Sequence, residues 1–378
     1  MMRVAFNGLP LLSPLTGIGH YVNTLLHELQ RRDHLSLEIF YGKHWSGEII
    51  APSKAGVIRP MIKRIVPYAY EVHRMLCQHY FYKKTKKERF DLYHEPNFLS
   101  FNFDGPIILN VHDLSWIRYP ETHPKRRVRV MNKYFESSLN SAHSIISISE
   151  FTTNEIVSTF GIDRSKIVKI YLGVSPDFRM LDASETLSTL NKFNLKHGKY
   201  FLAVGTLEPR KNLQIAVDAF LRLPKKVRLA CPLVLVGMKG WKISELEKKI
   251  LPLTLSGEII VTGYLSQHEL THMIAGALTQ IYPSLYEGFG LPPLEAMASG
   301  VPVIASDSSA IPEVVGDAGM LLDPFDVDGF YQAMKSMYES PELRKSYSEK
   351  SLSRSSLFSW NKCAQETIDV YNKVLGRI

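Results

Sequence analysis

Cysteine is scarce in this chain. The three present, Cys77, Cys231 and Cys363, are odd in number and far apart, which excludes a disulfide framework and lacks the close pairing of a thiolate metal site. Such usage fits a reducing compartment. Long hydrophobic runs are missing too: no stretch approaches the roughly 18 apolar residues of a membrane-crossing helix, so any membrane contact is expected to be peripheral. The opening Met1-Met2-Arg3-Val4-Ala5-Phe6 reads as a strand rather than a secretory leader, and a cytoplasmic location is the expectation. Acidic residues are in deficit, 37 Asp and Glu against 45 Lys and Arg, for a formal net charge of +8. A basic chain favours phosphate-bearing ligands, polyanions or an anionic membrane face, and charge alone does not choose among them.

What is present is a globular composition, 45% hydrophobic and 22% charged, on a chain of 378 residues, which suggests two domains. Its organising stretch is Tyr282 to Gly300, Y-P-S-L-Y-E-G-F-G-L-P-P-L-E-A-M-A-S-G, set between the short apolar runs Leu278 to Tyr282 and Val301 to Ala305. Pro292-Pro293 suits the first turn of a helix, where a missing N–H costs nothing, and Gly300 suits its end. The spacing therefore predicts strand, loop, helix, strand. Glu287 falls in the loop and Glu295 near the helix start. Backbone amides at Phe289, Gly290 and Leu291 would face a ligand at the helix N-terminus, where phosphate is favoured. Two acids beside an anion site make sense if the ligand also carries hydroxyls, as a nucleotide sugar does.

Other strand-to-helix turns point the same way. After the strand Val4-Ala5-Phe6 comes Thr16-Gly17-Ile18-Gly19-His20-Tyr21, then apolar residues at Val22, Leu25, Leu26 and Leu29 in helical spacing. This is not Gly-x-Gly-x-x-Gly, yet glycines there let backbone N–H groups approach an anion or a sugar. Asp91 to His94 and Ile107 to Val111 read as strands, the second ending in His112-Asp113, and ligands of open α/β sheets sit beyond such ends. Ser149 is placed to cap a helix. The second half restarts with the strand Tyr200 to Val204, followed by Gly205-Thr206-Leu207-Glu208-Pro209-Arg210-Lys211-Asn212. Adjacent cations at such a turn are a compact way to hold a diphosphate, Arg as a planar fork and Lys as a point charge. Residues 54 to 90 carry ten Lys or Arg against Glu71 and Glu88, interleaved with Tyr68, Tyr70, Tyr80, Phe81 and Tyr82. A solvated helix face or an anionic leaflet explains that pattern, and Lys125-Arg126-Arg127 with Arg129 and Lys133 adds to it. Nucleic acid is not expected, because no recognition motif accompanies the charge.

The run E-G-F-G-L-P-P-L-E followed by A-M-A-S-G-V-P-V-I-A-S resembles the E-x7-E signature of the retaining GT-B glycosyltransferases, the large family four that includes mannosyl- and rhamnosyltransferases. T-G-I-G-x-Y resembles that family's glycine loop, the run Ser144-Ile145-Ile146-Ser147-Ile148-Ser149-Glu150-Phe151 its strand ending in serine and glutamate, and G-T-L-E-P-R-K-N its donor-diphosphate element. The resemblance implies an α/β GT-B fold: two Rossmann-like domains whose parallel sheets face across a cleft. We expect an acceptor domain at 1–180, a linker at 181–198 and a nucleotide-sugar domain at 199–359. A last helix at 360–378 would pack back on the first domain. Catalytic residues are implied at His112 (chosen over His20, His94 and His143), Glu287, Arg210 and Lys211. Donor-binding residues are implied at Gly17, Gly19, Thr206, Tyr264, Gly288, Phe289, Gly290, Leu291 and Glu295. Thr206 departs from the pattern, since many members carry Arg there, and Arg210 is expected to supply the charge.

The implied partners are an NDP-sugar donor, GDP-mannose or GDP-rhamnose, and a saccharide or lipid-linked acceptor in bacterial surface-polysaccharide (O-antigen, lipopolysaccharide) synthesis, with peripheral association at the anionic inner membrane. No cofactor and no metal are expected. Asp326-Val327-Asp328 is formally the D-x-D of metal-dependent transferases of the other major fold, but capping of the following helix explains it better. Two rivals stand beside this reading: a nucleotide-sugar epimerase on a similar frame, which needs no acceptor, and a noncatalytic nucleotide-sugar-binding module.

Overall fold

Short apolar strands alternating with amphipathic helices require parallel sheets covered on both faces. The computed structural model, which describes residues 1–12, 17–50, 69–241 and 243–377, contains two such sheets, one in each of two units. The first unit comprises Met1–Leu114, Lys125–Gly173 and Trp360–Ile378, the second Ser115–Pro124 and Val174–Ser359.

In the first unit the strands are β1 (Met2–Asn7), β2 (Leu35–Phe40), β3 (Trp45–Ser46), β4 (Leu92–Glu95), β5 (Ile107–Val111), β6 (Ser144–Ser147) and β7 (Ile167–Lys169), in the order β3-β2-β1-β4-β5-β6-β7. All pairs are parallel except the edge pair β2 and β3. The helix Gly17–Gln30 buries Tyr21, Val22, Leu25, Leu26 and Leu29 and packs against the helix Trp360–Val374. A directed chain of hydrogen bonds joins them. Tyr371 donates to His94 Nδ1 at 2.5 Å, His94 Nε2 donates to Asn110 Oδ1 at 2.5 Å, and Asn110 Nδ2 donates to the Tyr21 hydroxyl at 2.8 Å. Burial pushes the His94 imidazole down to about 4, so the neutral ring has one donor and one acceptor nitrogen to spend.

The second unit has β8 (Phe201–Val204), β9 (Leu233–Val236), β10 (Ile259–Gly263), β11 (Thr279–Tyr282), β12 (Val303–Ser306) and β13 (Gly319–Leu322), in the order β10-β9-β8-β11-β12-β13, all parallel. Phe201, Leu233, Leu235, Ile281 and Ile304 meet Phe220 and Met334 in its core. At Gly237 a Cβ would lie 1.9 Å from the Gly205 carbonyl oxygen, at φ +149, so the loops after β8 and β9 touch only because this residue is glycine. Strand order reverses between β8 and β11, and between β1 and β4. Those are the switch points where α/β sheets open a crevice at their carboxyl ends.

Three expectations change. The glycine turn is not a loop up to Val22: the helix already begins at Gly17, placing Gly17 and Gly19 in its first turn, whose amides need no helical partner; Thr16 lies outside the described residues. The segment 181–198 is not an irregular linker. It contains the helix Ala183–Asn191, nucleated by a capping box in which Asp182 accepts from the Ser184 and Glu185 amides while Glu185 accepts from the Asp182 amide. Residues 115–124 group with the second unit and not with the strands that flank them in sequence. Of the basic stretch, 54–68 fall outside the described residues, and Ala69–Thr85 is a helix. On it Phe81 is buried while Val72, Met75 and Leu76, at one-face spacing, are exposed. Ser149 caps the helix Glu150–Phe160 by accepting from the Thr152 amide.

Candidate functional site

The loops leaving β8 and β11, neighbours at the switch point of the second unit, carry four charged side chains into one cluster. The turn after β8 runs through a short 3-10 helix, Pro209–Lys211, and stops at Asn212, whose φ of +52 is left-handed. Asn is one of the few side chains that tolerates this conformation. The Asn212 side-chain Nδ2 donates to the carbonyls of Pro283 at 3.0 Å and Pro324 at 2.7 Å, stapling the turn to the end of β11 and to the loop after β13. The Leu285 amide donates to the Arg210 carbonyl at 2.9 Å, closing the same junction.

Arg210 faces inward. Its Nε and Nη2 donate to Glu208 Oε1 at 3.1 and 2.7 Å, and its Nη1 donates to the Tyr286 carbonyl at 2.6 Å and to Glu287 Oε2 at 3.0 Å. Lys211 Nζ donates to the other oxygen of Glu287 at 2.6 Å and to the Tyr282 hydroxyl at 3.1 Å. Burial alone would raise the Glu287 carboxyl, but Arg210 and Lys211 together outweigh it and hold the group down at about 2. Its backbone is fixed as well, the Glu287 amide donating to Ser309 Oγ at 2.8 Å, while Ser308 Oγ donates to the Leu285 carbonyl.

Beyond Glu287 the chain turns through Gly288, Phe289 and Gly290 into the helix Leu291–Ala298, with prolines in its first turn. Gly290 has φ +128, a conformation a side chain would strain, and it lets the turn enter the helix without a side-chain cap. Phe289 is buried edge-on against Phe358, ring centroids 5.8 Å apart. Glu295 lies in the first turns of this helix, and no hydrogen bond or ion pair reaches its carboxylate among the described residues. Burial, with nothing to offset it, pushes that group up to about 7. Tyr264, just past β10, is 60% exposed.

Sequence-identified residues thus divide. Arg210, Lys211 and Glu287 share one cluster, with Gly288 to Leu291 and Glu295 on the adjoining turn and helix. Thr206 sits on the same β8 turn, half-buried. His112, Gly17 and Gly19 belong to the first unit. His112 follows β5, is buried between Tyr21 and Phe98, and donates from Nε2 to the Pro96 carbonyl at 2.8 Å. Burial holds its pKa below the usual histidine value, which leaves Nδ1 of the neutral ring as an acceptor. Asp326 caps the helix Val327–Glu339 through the Gly329 amide, and Asp328 pairs with Arg222, so the D-x-D side chains are engaged elsewhere. Among the described residues no group of three or more His, Cys, Asp or Glu is disposed to hold a metal.

Three participants in the cluster carry no role in the sequence pattern: Glu208, Asn212 and Ser309. A buried carboxylate of the first unit, Glu95, is likewise unmarked by any motif. Glu95 accepts from Asn7 Nδ2 at 2.7 Å, Tyr93 at 2.5 Å and the Asn97 amide at 2.9 Å, which joins the ends of β1 and β4. Burial raises its carboxyl to about 7.

Residues 189–354 match the family model described as Glycosyl transferases group 1, and residues 15–178 the one described as Glycosyltransferase Family 4. The O-antigen chain mannosyltransferase B of Escherichia coli is 35% identical over 379 residues, covering 98% of this chain and 99% of that protein. Among solved structures, the sucrose-phosphate synthase of Thermosynechococcus elongatus superposes with TM-score 0.79 at 19% identity, covering 100% of both chains. Anabaena HepE in complex with UDP and glucose gives 0.75 at 18%, covering 99% of this chain and 100% of that one. At such identities the structural likeness concerns the fold, and that fold is the two-sheet GT-B architecture.

Proposed function

From the premise that this chain belongs to the group 1, family 4 glycosyltransferases, we propose that it moves a mannosyl or related deoxyhexosyl residue from GDP-mannose or GDP-rhamnose to a saccharide or lipid-linked saccharide, in the assembly of an O-antigen-type surface polysaccharide. Mannose is favoured by the relatives, which include a second O-antigen mannosyltransferase, RfbU of Salmonella typhimurium, 28% identical over 238 residues. The observation that carries the reading is the cluster at the β8–β11 switch point: a lysine and an arginine converging on one ionised glutamate beside a helix N-terminus.

Lys211 and the amides of Phe289, Gly290 and Leu291 are assigned the charge of the departing diphosphate, and preorganised stabilisation of this kind is often the largest catalytic term. Arg210 contributes through Glu287, which it holds ionised. Glu287 accepts from the sugar's hydroxyls, Glu295 from the ribose diol, and Tyr264 offers an exposed ring to the base. His112, neutral and with Nδ1 able to accept, is assigned to the sugar. Configuration is retained. The bond from the anomeric carbon to the phosphate oxygen breaks, the bond to the acceptor oxygen forms on the same face, and the acceptor's proton passes to the leaving phosphate. No divalent metal is assigned. The reaction is placed at the cytoplasmic face of the inner membrane, the protein bound there peripherally.

The test is a transfer assay with a panel of nucleotide sugars. GDP-mannose is expected to yield a glycoside and to raise the melting temperature by mass action. Lys211→Ala is expected to lower turnover at least a hundredfold, in the range found for removal of one preorganised donor, and also to lower the melting temperature, because the buried Glu287 then keeps Arg210 as its cation; turnover measured well below that temperature separates the two effects. Consumption of donor without a glycoside would favour an epimerase. Full turnover by the lysine variant would remove the site from the mechanism.

A further inference from the structure

The charges of the cluster sum to zero before any substrate arrives. Glu208 and Glu287 offset Arg210 and Lys211, and all four side chains are between 7% and 13% exposed. A diphosphate brought against Lys211 in that state would face the Glu287 carboxylate at close range, where little water screens the repulsion. The two cations are not equally able to change partners. Arg210 is held by two N–H groups on Glu208 and a third on the Tyr286 carbonyl, so it cannot turn without breaking several bonds. Among the described residues Lys211 donates to Glu287 and to the neutral hydroxyl of Tyr282, whose ring it also overlies at 5.2 Å, and an ammonium on a flexible stem can exchange acceptors without backbone movement. The backbone of Glu287 is pinned by Ser309, so any movement of the glutamate is confined to its side chain.

We propose that Glu287 is a resident counter-anion which holds the place of the diphosphate, and that the nucleoside diphosphate binds by exchange, taking Lys211 from Glu287. Oε2 stays on Arg210, while Oε1, the atom released by Lys211, becomes the acceptor for a sugar hydroxyl. Occupation of the diphosphate position and readiness of the sugar position are thereby one event. This rests on the reading of the second unit as the donor site.

Calorimetric titration with GDP alone, on the full chain, tests it. Glu287→Gln removes the competing charge and keeps the shape, and is expected to tighten GDP binding about tenfold while lowering transfer. Glu287→Asp keeps the charge but is too short to span both cations, and is expected to tighten GDP binding by a smaller factor; it serves if the glutamine variant fails to fold. Lys211→Ala is expected to weaken GDP binding. If the lysine variant binds more weakly while both glutamate variants bind GDP as the parent does or more weakly, the exchange is overturned and the donor site stands. If the lysine variant binds GDP unchanged, the donor-site reading falls with it.

Discussion

Glu287 and Glu295 come from one continuous loop and helix, yet their surroundings drive them to opposite electrostatic states. Two cations hold the first ionised at about 2, and uncompensated burial holds the second near 7. The signs of their pH effects differ accordingly. Between the ordinary carboxylate value and about 7 the folded chain keeps a proton on Glu295 that the unfolded chain has lost, so stability falls as pH rises through that window. Glu287 does the reverse: its contribution is present above the ordinary value and is lost as pH falls towards 2. Glu295→Gln should therefore melt higher than the parent at pH 8 and show a shallower decline from pH 5 to 8, read by calorimetry. Part of the slope will persist, because Glu95 is raised in the same sense. A ribose diol is best accepted by the ionised form. Guanosine, which brings no titrating phosphate, should bind the parent more tightly as pH rises through 7 and should show no such rise with the variant.

At the scale of elements, the site depends on how the turn after β8 is fastened to the end of β11. Asn212 performs two separable tasks there, a left-handed backbone and two side-chain hydrogen bonds. Asn212→Gly keeps the first and loses the second, at about 1–2 kcal/mol for the unpaired carbonyls. Asn212→Ala loses both and should cost about 1–2 kcal/mol more, the strain of a Cβ in the left-handed region. Denaturant melts should rank the parent above the glycine variant and that above alanine. Turnover should fall in both, because Lys211 precedes this residue directly.

The whole molecule carries a net charge of +8, and its first unit distributes part of that charge over two helices. Lys83, Lys86 and Lys87, on and just after one, and Lys125, Arg126, Arg127, Arg129 and Lys133 on the other are exposed. Arg126 Nη2 lies 4.0 Å from Glu71 Oε2, so the helices are neighbours, and Met75, 71% exposed, lies one turn beyond Glu71. No helix among the described residues is long and apolar enough to cross a membrane. Cosedimentation should find the chain on vesicles containing phosphatidylglycerol and not on pure phosphatidylcholine. Binding should weaken as salt shortens the Debye length and weaken further in the Arg126→Glu, Arg127→Glu, Arg129→Glu triple variant. Equal binding to neutral vesicles would dismiss the charged face as an anchor.

What could be read without coordinates were features whose cause lies within a few residues. The prolines opening the helix at 291, the glycine at 300 just past its end, the alternation that dictates parallel sheets and the pair Arg210-Lys211 are local in this sense, and so is the family resemblance they carry. The helix inside 181–198 was local too, in the Asp182–Glu185 box, but its polar composition hid it. The rest depended on partners far along the chain. Asn212 meets carbonyls 71 and 112 residues away, Ser309 reaches back 22 to Glu287, and Tyr371 spans 277 to His94. Whether Arg210 faces a ligand or two carboxylates, and whether a glutamate is ionised or holds its proton, follows from distances and burial that arise only when the strands lie side by side.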